Sequence, residues 1–467
     1  MPESAKSAGI DQLQVILQRA VGTDNVRADP GDTWVYGSDN SRRHHAPDLV
    51  VFAEQHEQVV AIVQACHQAK SPLTVRGRGT GTTGGVVPIE GGVVLSLERM
   101  RAKPQIDAAN RVARVLPGVL NLDLQQAAAE HGLFWPPDPS SAAFCTVGGN
   151  LGFNGAGPRA VKYGTPRDNI LGLRAVTGDG QSLRTGVYTT KGVVGYDLTR
   201  LLVGSEGTLA IITEALLKLT PLPESQISFQ ALFTSVEATT AAVVALMAQP
   251  LTPCAVEFID QACLQLIRQQ GDNKLPTAAV AMLLIEIDGP IDVMSRATEA
   301  VMQATDSPAL LSLETAKTAT ETTRIWAARK ALSPALRTIA PNKLNEDIVV
   351  PVSRIPELIH GLQQISEKFG IPIVNFGHAG NGNLHSNLLY DTQDPAQANN
   401  ARPCLEALFD LVLQLGGTLS GEHGTGLEKR DYVGREIEPV TLDLMRRIKK
   451  QFDPRGILNP GKMFPVT

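Results

Sequence analysis

Two glycine-rich runs constrain this chain more than any other feature. VRGRGTGTTGG (75–85) and PPDPSSAAFCTVGGNLGFNGAGPRAVKYG (136–164) hold almost no side chain large enough to fill a core. Such stretches form tight turns or lie as bare backbone against a ligand, so the core must come from the segments around them. Those segments alternate. LVVFA, the helix-like EQVVAIVQACHQAK, LTVRGRGTG and GGVVLSLERM follow one another from Asp48, an α/β pattern. An amphipathic helix is expected at residues 10–21, where Ile10, Leu13, Ile16 and Leu17 share one face. Strands near VARVLPG, ILGLRAVTGDG and GTLAIITEALLKL and a helix near NLDLQQAAAEHG continue the first part of the chain. TPLPES (220–225) reads as its end. Beyond it, ISFQALFT, an Ala-rich helix over 235–248, AVEFID, AVAMLLIEIDG and a helix from Ile291 give a β-α-β-β-α order of ferredoxin-like type.

The totals exclude several classes of function. A chain of 467 residues is too long for one ordinary core, and 42 basic against 47 acidic residues leave a formal charge of −5, so nothing advertises nucleic acid or an anionic membrane. Five scattered cysteines without a Cys-x-x-Cys pair argue against a disulfide frame or a sulfur-ligated cluster, and a reducing cytoplasm fits them. No signal-type N-terminus and no apolar run of about 18 residues is present, so any membrane contact is expected to be peripheral, at an inner membrane.

The loop at 75–85 follows a strand and sets hydroxyls among its glycines, a nest suited to a pyrophosphate or, equally, a plain hairpin loop. No Gly-Lys-Ser/Thr closes it, and no helix opens after it, which weakens nucleotide-triphosphate and NAD readings. Further on, NFGHAGNGNLHSN (375–387) carries His378 and His385 seven apart in a turn, where either a metal or ordinary hydrogen bonding would serve. SGEHGTG adds Glu422 and His423. His378, His385 and Glu422 make a mixed N/O set with open positions, catalytic rather than structural in style; ligand types leave Zn and Mn both open.

VRGRGTG, PPDPSS, TVGGNLGFNGAG, YGTPRDN, GSEGTLAIITEALLKL, GHAGNGNLH, SGEHGTGLEKR and ILNPGKMF together resemble the FAD-linked D-2-hydroxyacid dehydrogenases. These form a branch of the vanillyl-alcohol oxidase and p-cresol methylhydroxylase superfamily whose members oxidise D-lactate, glycolate or D-2-hydroxyglutarate. The resemblance spans roughly residues 30–464 and implies an α+β fold. It would comprise a two-subdomain PCMH-type FAD-binding domain over 1–222, a ferredoxin-like antiparallel-sheet substrate or cap domain over 223–416, and a segment 417–467 returning to the first domain.

For the cofactor it implies Arg76, Gly77, Arg78, Gly79, Thr80, Gly81 and Thr82 at the FAD pyrophosphate. Pro137, Asp138, Thr146, Gly148, Gly149, Asn150, Asn154, Gly157, Ile211, Ile212 and Asn459 would lie about the flavin and adenosine. Some relatives attach FAD through a His in the first loop; Thr80, Gly81 and Thr82 stand there, so FAD is expected to be non-covalent.

The same resemblance makes His378, His385 and Glu422 ligands of a divalent metal and His423 the general base. Arg329, Ser333, Lys343 and Asn387 would bind substrate. Arg329 and Ser333 lie four apart, on one face if helical, and Arg suits a carboxylate through its fork. The family often has a Lys two residues before the Asp corresponding to Asp347; Asn345 stands there, with Lys343 earlier, which puts the distal pocket in doubt. D-lactate is therefore expected ahead of D-2-hydroxyglutarate, with electrons passing to an external electron-transfer protein, quinone or cytochrome. A homodimer and an FAD subunit of a glycolate oxidase complex are compatible alternatives. A metal hydrolase with merely structural glycine loops is the rival of another class.

Overall fold

The computed structural model describes residues 3–269, 275–316, 318–336 and 339–465. They fall into two compact units. One comprises Met1–Ala156, Gly164–Leu222 and Glu422–Thr467, the other Gly157–Tyr163 and Pro223–Gly421.

In the first unit a four-stranded sheet runs in the order Val26–Arg27, Leu49–Phe52, Val93–Ser96, Leu73–Arg76, its last three strands parallel. All four residues of LVVF are buried, as a parallel strand covered on both faces requires. Helix His56–Ala69 makes the crossover, and Val59, Ile62, Val63 and Cys66 recur at i, i+3, i+4 and i+7 on its fully buried stripe. Helix Glu3–Val21 adds Leu13, Leu17 and Val21 to the same core.

A second sheet of this unit is antiparallel, ordered Gln105–Asp107, Val112–Val115, Ala210–Lys218, Ile170–Thr177, Ser182–Gly186. Helices Asn121–Ala129 and Val147–Phe153 pack on it through Leu124, Ala128, Val147 and Leu151. The second of these is the glycine-rich VGGNLGF. Glycine costs a helix about 1 kcal/mol relative to Ala, but two buried residues four apart and the Thr146 cap hold it.

The second unit is built on a seven-stranded sheet, all neighbours antiparallel. Its order is Leu310–Ala316, Ser225–Phe233, Ala281–Gly289, Ala255–Ile259, Ile373–His378, Asn383–Tyr390, Asn342–Val349. Helices Gln261–Gln269 and Ala319–Ala335 bury Cys263, Leu264, Ile325 and Leu332 with Val374, Phe376 and Leu389.

Two boundaries differ from the sequence reading. Residues 417–421 stay with the sheet unit, because Thr418 pairs with Val349 and the Gly421 N–H donates to the Asp347 carbonyl at 3.0 Å. Gly157–Tyr163 also joins it: Lys162 donates to Asp288 and the Tyr163 hydroxyl to Asp288 Oδ2 at 2.9 Å. Among the described residues no helix is long and apolar enough to cross a membrane.

Candidate active site

A cavity of about 320 Å³ opens in the first unit, walled on one side by the loop that follows strand Leu73–Arg76. Arg76, only 9 % exposed, braces this loop from below: its guanidinium donates to the Ser38 carbonyl at 2.5 Å and lies 5.6 Å over the Tyr36 ring. Gly79, at φ +65°, passes directly over that guanidinium, where a Cβ would collide. Arg76 through Thr82 all line the cavity. The Thr82 hydroxyl is buried without a hydrogen-bond partner among the described residues. A buried hydroxyl left so costs about 1–3 kcal/mol, and a ligand acceptor in the cavity would relieve it.

The facing wall is the start of helix Val147–Phe153. Thr146 Oγ1 accepts the Gly149 N–H at 3.2 Å, and Gly148 rests on Pro117 so closely that a Cβ would displace it. Thr146, Gly148, Gly149 and Asn150 line the cavity, joined by Pro139, Ser140, Ser141 and Phe153. Bare backbone and a buried hydroxyl in need of an acceptor suit the phosphates of a dinucleotide cofactor, so these residues fit FAD.

Other expected cofactor residues are engaged elsewhere. The Pro137 carbonyl accepts from Asn121 Nδ2 at 3.0 Å, the Asp138 N–H donates to Ala156 O at 2.9 Å, and Asn154 Oδ1 accepts the Arg167 N–H at 3.0 Å. Ile211 and Ile212 point from one strand into two separate cores. Asn459 is buried as a tie, its Nδ2 donating to Gly85 O at 2.8 Å and Glu206 O at 2.7 Å. None of these lines the cavity, and Gly157 belongs to the second unit.

Glu422 and His423 do line it. Glu422 Oε2 accepts the Ala156 N–H at 3.1 Å, and the His423 carbonyl accepts from Thr83 Oγ1 at 3.2 Å. So does Glu206, which reading the residues by chemistry passed over, although it stands in the quoted GSEGTL. Its carboxylate is buried, and burial pushes its pKa up against the opposing pull of two amide donors and Lys462. Burial likewise lowers Lys462, to about 8.

In the second unit the strand register gathers the remaining candidates. Residues opposite one another on antiparallel strands share a face. Glu257 pairs with His378, Phe376 with His385, His385 with Asp347, and Asn387 with Asn345. The two imidazole rings meet edge to face with centroids 5.2 Å apart. Glu257 is the hub: it accepts from His378 Nδ1 and from Arg329 Nε at 2.8 Å. Burial pushes Glu257 up, but the His378 and Arg329 charges outweigh it and hold the carboxyl down at about 2. Arg329 also lies 4.5 Å over the Phe376 ring. A carboxylate on Nδ1 fixes the His378 ring, the support that ligating imidazoles commonly receive. Asp347 Oδ1 stands 3.7 Å from His385 Nδ1.

Asn387 is fully buried and its Oδ1 has no partner among the described residues. Lys343 stands opposite Leu389, two residue pairs beyond Asn345. Ser333 falls within helix Ala319–Ala335, but its side chain lies outside the described residues.

Comparison with known proteins adds to this geometry. Residues 47–186 match the family described as "FAD binding domain", and 222–463 match "FAD linked oxidases, C-terminal domain". The chain is 38 % identical to glycolate oxidase subunit GlcD of Bacillus subtilis, over 96 % of each chain. It is 35 % identical to a D-lactate dehydrogenase of Anaerostipes hadrus over 89 % of each, and 36 % identical to one of Archaeoglobus fulgidus over 97 % of this chain and 98 % of the relative. Among solved structures, p-cresol methylhydroxylase with substrate bound superposes with TM-score 0.79 at 19 % identity, covering 98 % of this chain and 97 % of the other, a likeness of fold.

Proposed function

The chain belongs to the FAD-linked oxidases, and from that premise we propose that it oxidises a D-2-hydroxy acid, D-lactate before others, to the 2-oxo acid. Relatives named D-lactate dehydrogenase and glycolate oxidase support a 2-hydroxy acid as substrate. The observation that carries the reading is the Glu257-anchored pair of Arg329 and His378, on the sheet face that also bears His385 and Asn387. Glu257 occupies the Nε side of the guanidinium, so the proposal gives its remaining nitrogens to the substrate carboxylate, a bidentate match. Ser333 and Asn387 are proposed as further substrate contacts.

FAD held non-covalently would supply the hydride acceptor, and a divalent metal, Zn or Mn, held by His378, His385 and Glu422 would supply Lewis acidity that eases loss of the hydroxyl proton. His423 is proposed to take that proton, an effect worth roughly 10²- to 10⁴-fold for a positioned base. Thr80, Gly81 and Thr82 stand where some relatives carry the attaching His, which supports the non-covalent reading. Electrons leave to an external carrier.

The preference for a monocarboxylate rests on register. Asn345 stands where the family's Lys is common, opposite Asn387, and Lys343 is two residue pairs further from His385. At roughly 3.3 Å per residue that places Lys343 about 13 Å along the sheet from the His385 row. A second acid group on a five-carbon substrate has an amide, not an ammonium, at the nearer step.

Anaerobic bleaching of the bound flavin against a panel of D- and L-2-hydroxy acids tests the proposal. D-lactate should bleach fastest. Strong preference for D-2-hydroxyglutarate would sink the substrate choice, and a purified chain that stays colourless with added FAD would favour a metal hydrolase. The word "subunit" in the name of the Bacillus subtilis relative supports one further reading, a flavin chain that needs partners; dye-coupled turnover by this chain alone would count against it.

A further inference from the structure

We infer that Glu206 is a positioning residue that sets the backbone carrying Glu422 and His423, an inference that rests on the reading of His423 as the base. The two carboxylate oxygens divide the work: Oε1 accepts the Thr425 N–H at 2.6 Å and Oε2 the Gly426 N–H at 2.9 Å. These amides follow His423 by two and three residues. Bonds from amides to an ionised carboxylate are shorter and stronger than neutral ones.

The loop is moulded to this group. Gly424 sits at φ +84°, and a Cβ there would strike Glu206 Oε1 and Phe153. Glu206 itself adopts φ +53°, a conformation that persists in a non-glycine residue only where its surroundings over-determine it. They do so here. Asn459 Nδ2 holds the Glu206 carbonyl at 2.7 Å, and Asn459 Oδ1 in turn accepts from buried Lys462 at 3.0 Å. A second clamp acts on the other side of the loop, where Thr83 Oγ1 donates to the His423 carbonyl at 3.2 Å and Thr83 O accepts the Leu427 N–H at 2.7 Å. Backbone held on both flanks of His423 fixes the point from which its side chain enters the cavity wall.

Only a carboxylate can accept from both amides. In Glu206→Gln one position becomes an NH₂ facing an N–H, at unchanged size. Catalysis depends steeply on geometry, so this variant should lose about 10- to 100-fold in kcat while KM for D-lactate and affinity for FAD stay within about 3-fold. Hydrogen exchange of residues 422–428, measured by mass spectrometry with and without FAD, should accelerate at Thr425 and Gly426. Thr83→Val, a milder change outside the carboxylate, should shift kcat and exchange in the same direction.

Unchanged kcat and exchange in Glu206→Gln overturn the inference, as does a kcat loss matched by loss of FAD, which would make Glu206 a wall of the cofactor cavity only. If Glu206→Gln fails to fold, Thr83→Val with parental kcat and exchange overturns it. If the parent bleaches with no 2-hydroxy acid, the functional reading falls, and the exchange comparison still decides whether Glu206 holds the loop.

Discussion

The first unit lines its cavity largely with backbone, whereas the second gathers buried side-chain charge on one sheet face. Around the cavity the walls are Gly77, Gly79, Gly81, Gly148 and Gly149, and Arg76 works beneath the loop, holding the Ser38 carbonyl. On the sheet face Glu257, Arg329, His378 and His385 interlock within a few ångströms, and nearly every one is paired. The contrast teaches that bare backbone suits an extended cofactor, whereas the proposed small acid would need a few well-spaced charges.

That contrast can be broken most severely at Glu257. Glu257→Gln leaves Arg329 and His378 without their shared buried anion, and urea unfolding should show a loss of about 3–5 kcal/mol together with a collapse of turnover. If the proposed metal is held there, His378→Ala or His385→Ala should lower turnover by about 10²-fold or more while the visible flavin spectrum persists. Normal turnover in either variant returns this face to a structural role.

A third comparison uses pH. Lys462 is held at about 8, against 10.5 for a free lysine, with burial as the first cause and Glu90 and Glu206 opposing it. Between those values the unfolded chain binds the proton that the folded one has shed, so this residue makes stability rise with pH across pH 8 to 10.5, by up to about 3 kcal/mol. Unfolding curves of Lys462→Met should lack that rise; an identical pH slope would refute the assignment. The smallest effect belongs to the backbone wall. Gly79→Ala sets a side chain at positive φ above Arg76 and should cost about 1 kcal/mol, read as weaker FAD binding by equilibrium dialysis, with KM for the acid unchanged.

The sequence showed one kind of site better than the other, for a physical reason. Glycine wherever backbone must approach closely leaves a dense local signature, and the loop 76–82 was legible from it, as were the strands whose apolar residues alternate. Glu257 left a fainter mark: a single acid inside the strand AVEFI, all of it buried, is a residue that must have a partner. Its partners are far away in the chain, at 329 and 378, and only the register of the sheet reveals them. Asn459 is ambiguous in the sequence, because Asn-Pro-Gly fits a turn at a ligand as well as a buried tie. Nothing local marked residues 157–163 as part of the sheet unit, since their attachment runs through Asp288.

The first unit is written in three pieces, with the sheet unit threaded through it. Thr83 and His423, hydrogen-bonded to each other, stand 340 positions apart. As the chain emerges from the ribosome, the flavin loop must wait for the whole sheet unit before its last wall exists. Domains fold largely as units during synthesis, so the sheet unit is free to mature first while the earlier piece remains open. A nascent or truncated chain that stops short of Glu422 carries the glycine loop without Glu422 or His423, and flavin capture becomes a test that translation ran to the end.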